Sequence, residues 1–146
     1  MSRTIHVPAG IFDSRQYGFA QVAVVPTPFG SIVHVSGQVA WDAEQGIVGA
    51  GDIGRQLGKS LENLAVALES VGASLDQVGA LRLYVKQSHM HEGKAISAAL
   101  RAKFGDNPPC STWIGVPCLA DEEFLVEVEP SPVFLTGEAT GTARRP

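Results

Sequence analysis

One long amphipathic segment constrains the fold of this chain more than any other feature. After Asp52, apolar residues recur at spacings of three and four: Ile53, Leu57, Leu61, Leu64, Ala65, Leu68 and Val71. This period is that of a helix with a single apolar face. Asp52 is a favourable N-cap, and Gly72 stands where a glycine commonly ends a helix. The helix must therefore bury its apolar face against another layer of structure.

Short apolar segments on both sides of this helix predict that layer. Strands are predicted over 19–25, 32–36, 81–86, 112–116 and 124–128, with a turn at 26–30 and a short hairpin over 38–48. A second helix is predicted over 92–104. This order indicates an α+β fold, a mixed β-sheet with two helices packed on one face. We expect copies of the same chain to cover the strand edges and the remaining apolar surface.

Composition indicates one domain and argues against several classes of partner. The chain has 146 residues and a formal net charge of -4, which predicts no general attraction to nucleic acid or to an anionic membrane. No apolar run approaches the ~20 residues that span a bilayer. We expect residues 1–135 to form one domain and residues 136–146 a flexible polar tail. The first ten residues lack a secretory pattern and only two cysteines are present, so we expect a cytoplasmic protein without disulfides.

The sequence offers one local candidate for metal binding. His89 and His91 are separated by a single residue, but no cysteine or carboxylate completes a recognisable zinc pattern. We expect an exposed loop at the start of the second helix and no metal ion.

Cys110 is the residue whose role the sequence leaves most open. It follows Pro108 and Pro109, which fix the loop, and it precedes a predicted strand. A reactive cysteine needs a histidine, a cation or a helix N-terminus beside it. Three interpretations therefore stand: a buried inert thiol, a thiol that lines a pocket, and a nucleophile.

Two carboxylates project from one face of a predicted strand. Glu127 and Glu129 alternate with Val126 and Val128. Either both carboxylates form a solvated face, or Glu127 points into a cleft between subunits and positions a water molecule as a general acid or base.

Three segments, in their order and spacing, resemble the Rid (YjgF) family. They are Val35-Ser36-Gly37-Gln38, the helix from Gly51 to Gly72, and Leu125-Val126-Glu127-Val128-Glu129. The resemblance covers roughly residues 19–134. It implies a chorismate-mutase-like fold and a homotrimer with three clefts between subunits. Many members of the family hydrolyse reactive enamines and imines.

The chain departs from the family pattern at two positions of the implied site. The family arginine that clamps the substrate carboxylate falls on Cys110, and an aromatic hydroxyl falls on Phe19, which has none. Tyr17, two residues earlier, is a candidate replacement for that hydroxyl. A cysteine cannot form the bidentate pair with a carboxylate. We therefore expect a substrate other than an ordinary amino-acid-derived imine, and Phe19 and Trp113 suit an apolar or aromatic ligand.

The resemblance implies a set of site residues and leaves two functions open. The implied catalytic residue is Glu127, and the implied substrate-binding residues are Phe19, Ser36, Gly37, Cys110 and Thr112. The first function is hydrolysis of a small enamine or imine to a carbonyl compound and ammonia in the intersubunit cleft, without a cofactor. The alternative is a trimer on the same scaffold that binds a small metabolite and does not turn it over. The acidic balance argues against a ribonuclease.

Overall fold

The computed structural model describes residues 2–137, which form two helices and seven strands with short 3-10 turns between them. The strands and helices, in chain order, are β1 (Thr4–His6), β2 (Val22–Thr27), β3 (Gly30–Val35), α1 (Ile53–Glu69), β4 (Ala80–Lys86), α2 (Gly93–Phe104), β5 (Cys110–Val116), β6 (Val126–Pro130) and β7 (Val133–Thr136). The predicted α+β class and both predicted helices are confirmed. No helix in this part of the chain has the length and hydropathy to cross a membrane.

The strands form two sheets rather than the single mixed sheet predicted from the sequence. One sheet has the order β1-β2-β3-β7, and the other has the order β5-β4-β6 with β4 and β5 parallel. A bridge between Gln38 and Val128 joins them, with N–H···O distances of 2.8 and 2.9 Å. Pro130 is the last residue of β6 and Pro132 lies between β6 and β7, and because proline has no N–H, the ladder is interrupted there. The two sheets therefore form one layer in which the ladder of backbone hydrogen bonds is interrupted.

Both helices cover the same face of this layer. The Asp52 side chain accepts a hydrogen bond from the Arg55 N–H at 3.1 Å, which caps α1 as predicted. Leu57 and Leu61 of α1 are fully buried, and Ile96 of α2 belongs to the same core. Each buried leucine contributes roughly 1.5–3 kcal/mol. This core holds the sheet rigid behind the site.

Several predicted boundaries were wrong by a few residues. Helix α1 ends at Glu69 rather than at Val71, because the chain leaves the helix through Ser70 and reaches Gly72 at φ +80°. Strand β5 begins at Cys110, so this cysteine lies in a strand rather than in the preceding loop. Strands β1 and β7 were not predicted.

The predicted tail of residues 136–146 is partly ordered structure. Thr136 pairs with Gly30 in β7, and the Gly137 N–H donates to the Phe29 carbonyl at 3.0 Å. Residues 138–146 lie outside the described part of the chain.

No helix within residues 2–137 covers the second face of the sheet. Because side chains alternate along a strand, Arg82 and Tyr84 of β4 lie on this face, opposite Glu129 and Glu127 of β6. Phe134 of β7 is 49% exposed on the same face. We call it the open face.

Candidate functional site

A cavity of about 320 Å³ lies at one end of the open face, where β3 and β6 meet the loops. Five of its lining residues are aromatic, and they come from four separate segments: Phe12, Tyr17, Phe19, Trp41 and Phe124. Gly37 and Glu127 line it between these rings. A concave, largely apolar cavity with one acidic side chain is typical of a small-molecule site.

A short turn positions two of the aromatic residues, Tyr17 and Phe19. The Asp13 carboxylate accepts a hydrogen bond from the Arg15 N–H at 3.0 Å and caps the turn Ser14–Tyr17. The Arg15 guanidinium holds the pKa of Asp13 at about 2. The Ser14 hydroxyl then donates to the Phe19 carbonyl at 2.7 Å, which fixes the chain after Gly18. Tyr17 and Phe19 therefore both reach the cavity, which the sequence alone left undecided.

The indole of Trp41 is the centre of the aromatic wall. Its ring centroid lies 4.9 Å from that of Phe12 and 5.1 Å from that of Phe124, both in edge-to-face arrangement. The Asn63 side-chain amide of α1 donates to the Trp41 carbonyl at 2.8 Å. This bond ties the loop that carries Trp41 to the rigid core.

Gln56 of α1 positions the segment before β6. Its side-chain NH2 donates to the Glu123 carbonyl at 2.8 Å, and its side-chain oxygen accepts the Leu125 N–H at 2.9 Å. Phe124 lies between these two anchored residues and is 2% exposed. A buried amide with both groups paired fixes its segment firmly.

Glu127 is the only carboxylate among the described residues that line this cavity. Its carboxylate lies over the Cα of Gly37, where a β-carbon at that glycine would meet the Glu127 Cδ at 2.9 Å. Within residues 2–137 no hydrogen bond reaches this carboxylate. Burial, and secondarily the negative charge of Glu129, raises the pKa of Glu127 above its usual 4.5. The site thus holds a partly desolvated carboxylate without a partner.

Glu129, two residues further along β6, has a different environment. Its Oε1 accepts hydrogen bonds from Arg82 Nη1 at 3.0 Å and from the Tyr84 hydroxyl at 3.2 Å. A second cavity of about 310 Å³ lies beside this pair and is also lined by His34. Arg82 and Glu129, which line this second cavity, pair with each other, so the cavity contains no unpaired carboxylate comparable with that of Glu127.

The structure brings Phe19, Gly37 and Glu127 together, but not the other predicted site residues. The Ser36 hydroxyl donates to the Ala20 carbonyl at 2.6 Å and is used within the fold. Cys110 and Thr112 lie on β5, two strands and therefore roughly 10 Å away from β6 in the same layer. Both are exposed, and the Cys110 thiol is free. Their roles remain predictions for a cleft that a second subunit completes.

Three of the five aromatic residues that line the cavity were not predicted from the sequence, and one predicted aromatic residue lies elsewhere. Phe12 lies in a loop, whereas Trp41 and Phe124 lie in segments predicted as a hairpin and a strand, and no local pattern indicated that the three meet. Trp113, expected to suit an aromatic ligand, packs against the helix-side core, and its indole N–H donates to the Ser111 hydroxyl at 2.9 Å. Of the two residues expected to suit an aromatic ligand, Phe19 therefore lines the cavity and Trp113 does not.

The fold and the site define a class of small α+β domains with an uncovered sheet face and a carboxylate-bearing cavity at its end. The chain belongs to the family described as Endoribonuclease L-PSP, which it matches over residues 16–131, and which is the family of the YjgF/Rid proteins.

Individual relatives agree with this assignment. A RutC family protein of Pyrococcus abyssi is 30% identical over 100 residues, which is 68% of this chain and 76% of the relative. The solved structure of YyfB, a Rid family protein of unknown function from Yersinia pestis, is 32% identical with a TM-score of 0.65, covering 92% of this chain and 100% of the other. A YjgF/YER057c/UK114 family member from Mycobacterium tuberculosis is 25% identical with a TM-score of 0.70 at the same coverage.

Proposed function

We propose that this protein hydrolyses a small imine or enamine to a carbonyl compound and ammonia. The observation that carries the proposal is the unpaired, partly buried carboxylate of Glu127 in a cavity of suitable size. A general base must reach the proton that it abstracts and have a pKa closer to neutrality than an ordinary carboxylate. The raised pKa of Glu127 meets the second requirement.

The chemistry needs few groups. Water adds to the carbon of a protonated imine while Glu127 accepts one of its protons. The same carboxylate then returns that proton to the nitrogen of the carbinolamine, the carbon–nitrogen bond breaks, and the hydroxyl proton passes by way of Glu127 to the departing ammonia as the C=O bond forms. No redox step occurs, so we propose a reaction without a cofactor. Burial of the carboxylate favours both transfers because proton exchange with solvent is restricted.

We propose that the working unit is a homotrimer, as the family resemblance implies. The exposed Ile114 and Phe134 on the open face support burial against other copies. Closure by a second copy would narrow the open side of the cavity. In that arrangement Cys110 of the partner subunit and Thr112 of the partner subunit complete the cleft.

The alternative function is binding of a small metabolite without turnover. Cys110, in place of an arginine, is the observation that favours it, because one charged contact expected of an enzyme of this family is missing. Both functions use the same cavity. They differ in whether Glu127 transfers protons or only contributes a charge.

Ammonia release from freshly generated imines distinguishes the two functions. We expect the wild-type protein to accelerate hydrolysis and the Glu127→Gln variant to lose about 100-fold or more of that acceleration, because general base catalysis of this kind supplies about 10²–10⁴-fold.

Glu129→Gln is the matched control, since it removes a carboxylate from the same strand and face but outside the cavity. We expect it to stay within about twofold of the wild type at neutral pH. Equal losses in both variants would contradict the assignment of Glu127. Ligand binding without any turnover by the wild type would favour the binding function.

A further inference from the structure

The walls of the cavity indicate which substrates it accepts. We propose that the Glu127 site takes an aryl-bearing organic cation, an imine protonated on nitrogen and without a carboxylate. This inference rests on the proposed function and names its substrate class.

The aromatic wall of the cavity favours a ligand that carries a ring. Phe12 lies within 6.3 Å, centroid to centroid, of Tyr17, Phe19 and Trp41, and all three pairs are edge-to-face. Such an array offers ring faces and edges to a further ring, which would complete the same packing. Aromatic faces also attract a cation that lies over them. A ligand with a ring and a positive charge uses both properties.

The charge of the cavity favours a cationic ligand. Glu127 is the only charged group that lines the cavity on this chain, within residues 2–137, and it has no cationic partner there. Arg82, the arginine of the neighbouring strand on the open face, is bound to Glu129 at 3.0 Å. A bound cation would therefore provide the missing partner of Glu127. A substrate carboxylate would instead meet a like charge in a partly desolvated site, where repulsion is several times stronger than in water.

The volume of the cavity favours a ligand with a single aromatic ring. A volume of about 320 Å³ accommodates a single aromatic ring with a short side chain and one attacking water molecule. Two-carbon and three-carbon imines would leave the aromatic wall uncovered, and apolar surface without contact contributes nothing to binding.

The reaction balances without a further reactant. The oxygen of water forms a bond to the iminium carbon as the C=N π electrons move to nitrogen. The carbon–nitrogen bond then breaks while the C=O bond forms. Both protons of the water molecule end on nitrogen by way of Glu127, so one protonated imine and one water give one aldehyde or ketone and one ammonium ion.

A matched pair of substrates tests the inference. A flavin-dependent amine oxidase converts 2-phenylethylamine to an imine without a carboxylate, and an L-amino acid oxidase converts phenylalanine to the corresponding imino acid. Each freshly generated imine is mixed with the protein, and the initial rate of ammonia release above the uncatalysed rate measures hydrolysis. We expect the acceleration to be at least about tenfold greater for the imine without the carboxylate, because only the other substrate sets a like charge against Glu127. Equal or reversed preference would overturn the inference while leaving imine hydrolysis established.

A binding measurement separates this inference from the proposed function. Benzyltrimethylammonium is an aryl cation that cannot be hydrolysed, and benzyl alcohol is a neutral ligand of similar shape. Calorimetry should show the cation binding more tightly, and Glu127→Gln should weaken it by about tenfold while leaving benzyl alcohol unchanged. Cation binding without imine hydrolysis would support the ligand class and refute the enzyme. Absence of binding by the cation would refute the ligand class.

The two tryptophans of the chain provide matched variants for the aromatic wall. Trp41→Leu should weaken benzyltrimethylammonium binding by about tenfold, the value of a lost cation–π contact. Trp113→Leu should not, because Trp113 packs on the helix side of the sheet. If Trp41→Leu fails to fold, Tyr17→Leu at the exposed rim serves instead, since Tyr17 is 55% exposed. Unchanged binding in the cavity variant that folds would overturn the inference.

Discussion

Replacing Gly37 by alanine tests the contact on which the site depends. The backbone of Gly37 does not lie in the left-handed region, so alanine adopts it without strain, but the new methyl group would meet the Glu127 carboxylate. The Glu127 Oε1 would be the nearest atom and the Cδ would lie 2.9 Å away, whereas ordinary contacts begin at 3.4 Å, so the carboxyl group must move by about 1 Å or rotate to another rotamer. Because this is the end of a flexible side chain, the move costs about 0.5–1.5 kcal/mol of folding free energy.

The expected activity loss is much larger than the stability loss. A catalytic group displaced by about 1 Å loses about 100-fold in rate. The melting temperature should fall by only about 2–4 °C for each kcal/mol in a chain of this size. Imine hydrolysis and thermal unfolding, measured on the same preparation, give both numbers.

Gly58→Ala is the matched glycine control. Gly58 lies within α1, and a β-carbon there has no heavy atom within 4 Å. Alanine should stabilise the helix by about 0.5–1 kcal/mol and leave activity unchanged. If Gly37→Ala retained full activity, the placement of the Glu127 carboxylate over Gly37 would not matter to function, and the account of the site would be refuted.

Three further predictions concern the charges and anchors of the site. The raised pKa of Glu127 means that the native state binds more protons than the unfolded state, so this residue costs stability as pH rises above 4.5. Glu127→Gln should therefore melt at a higher temperature than the wild type at pH 7 and at the same temperature below pH 4.5, whereas an equal difference at both pH values would contradict this. Glu129→Gln removes a charge that raises the pKa of Glu127, so the acid limb of its rate profile should move to lower pH; a limb that stays in place would contradict the electrostatic argument. Gln56→Leu leaves the Leu125 N–H and the Glu123 carbonyl unpaired. Urea denaturation should show that the free energy of unfolding falls by about 2–4 kcal/mol. A fall below about 0.5 kcal/mol would count against the role of Gln56 as an anchor.

The sequence predicts the elements with strong periodicity and little of what joins them. The helix after Asp52 and strand β4 have clear apolar patterns, and both were found close to their predicted positions. Strands β1 and β7 are three and four residues long, too short for alternation to be distinguished from chance. The break between β6 and β7 follows from Pro130 and Pro132. Because one apolar pattern continues across the region, the pattern does not show this break.

The site was predictable where it lies on strands and not where it lies on loops. Alternation alone placed Glu127 and Glu129 on one face of β6. It did not show that Glu129 is paired with Arg82 and Glu127 is not, since that depends on the partner strand. Phe12 and Trp41 meet only after the chain has folded. No local sequence pattern predicts how loops pack against one another in the folded protein.

The most direct test of the central claim compares two pKa values of the same group. The pKa of the Glu127 carboxyl, measured by NMR on protein labelled with carbon-13 in glutamate, is expected above 4.5 because of its burial. The acid limb of kcat/KM for imine hydrolysis should have the same pKa, and Glu127→Gln should abolish that limb together with most of the rate. A limb at a different pH, or one that persists in the variant, would show that another group activates the water.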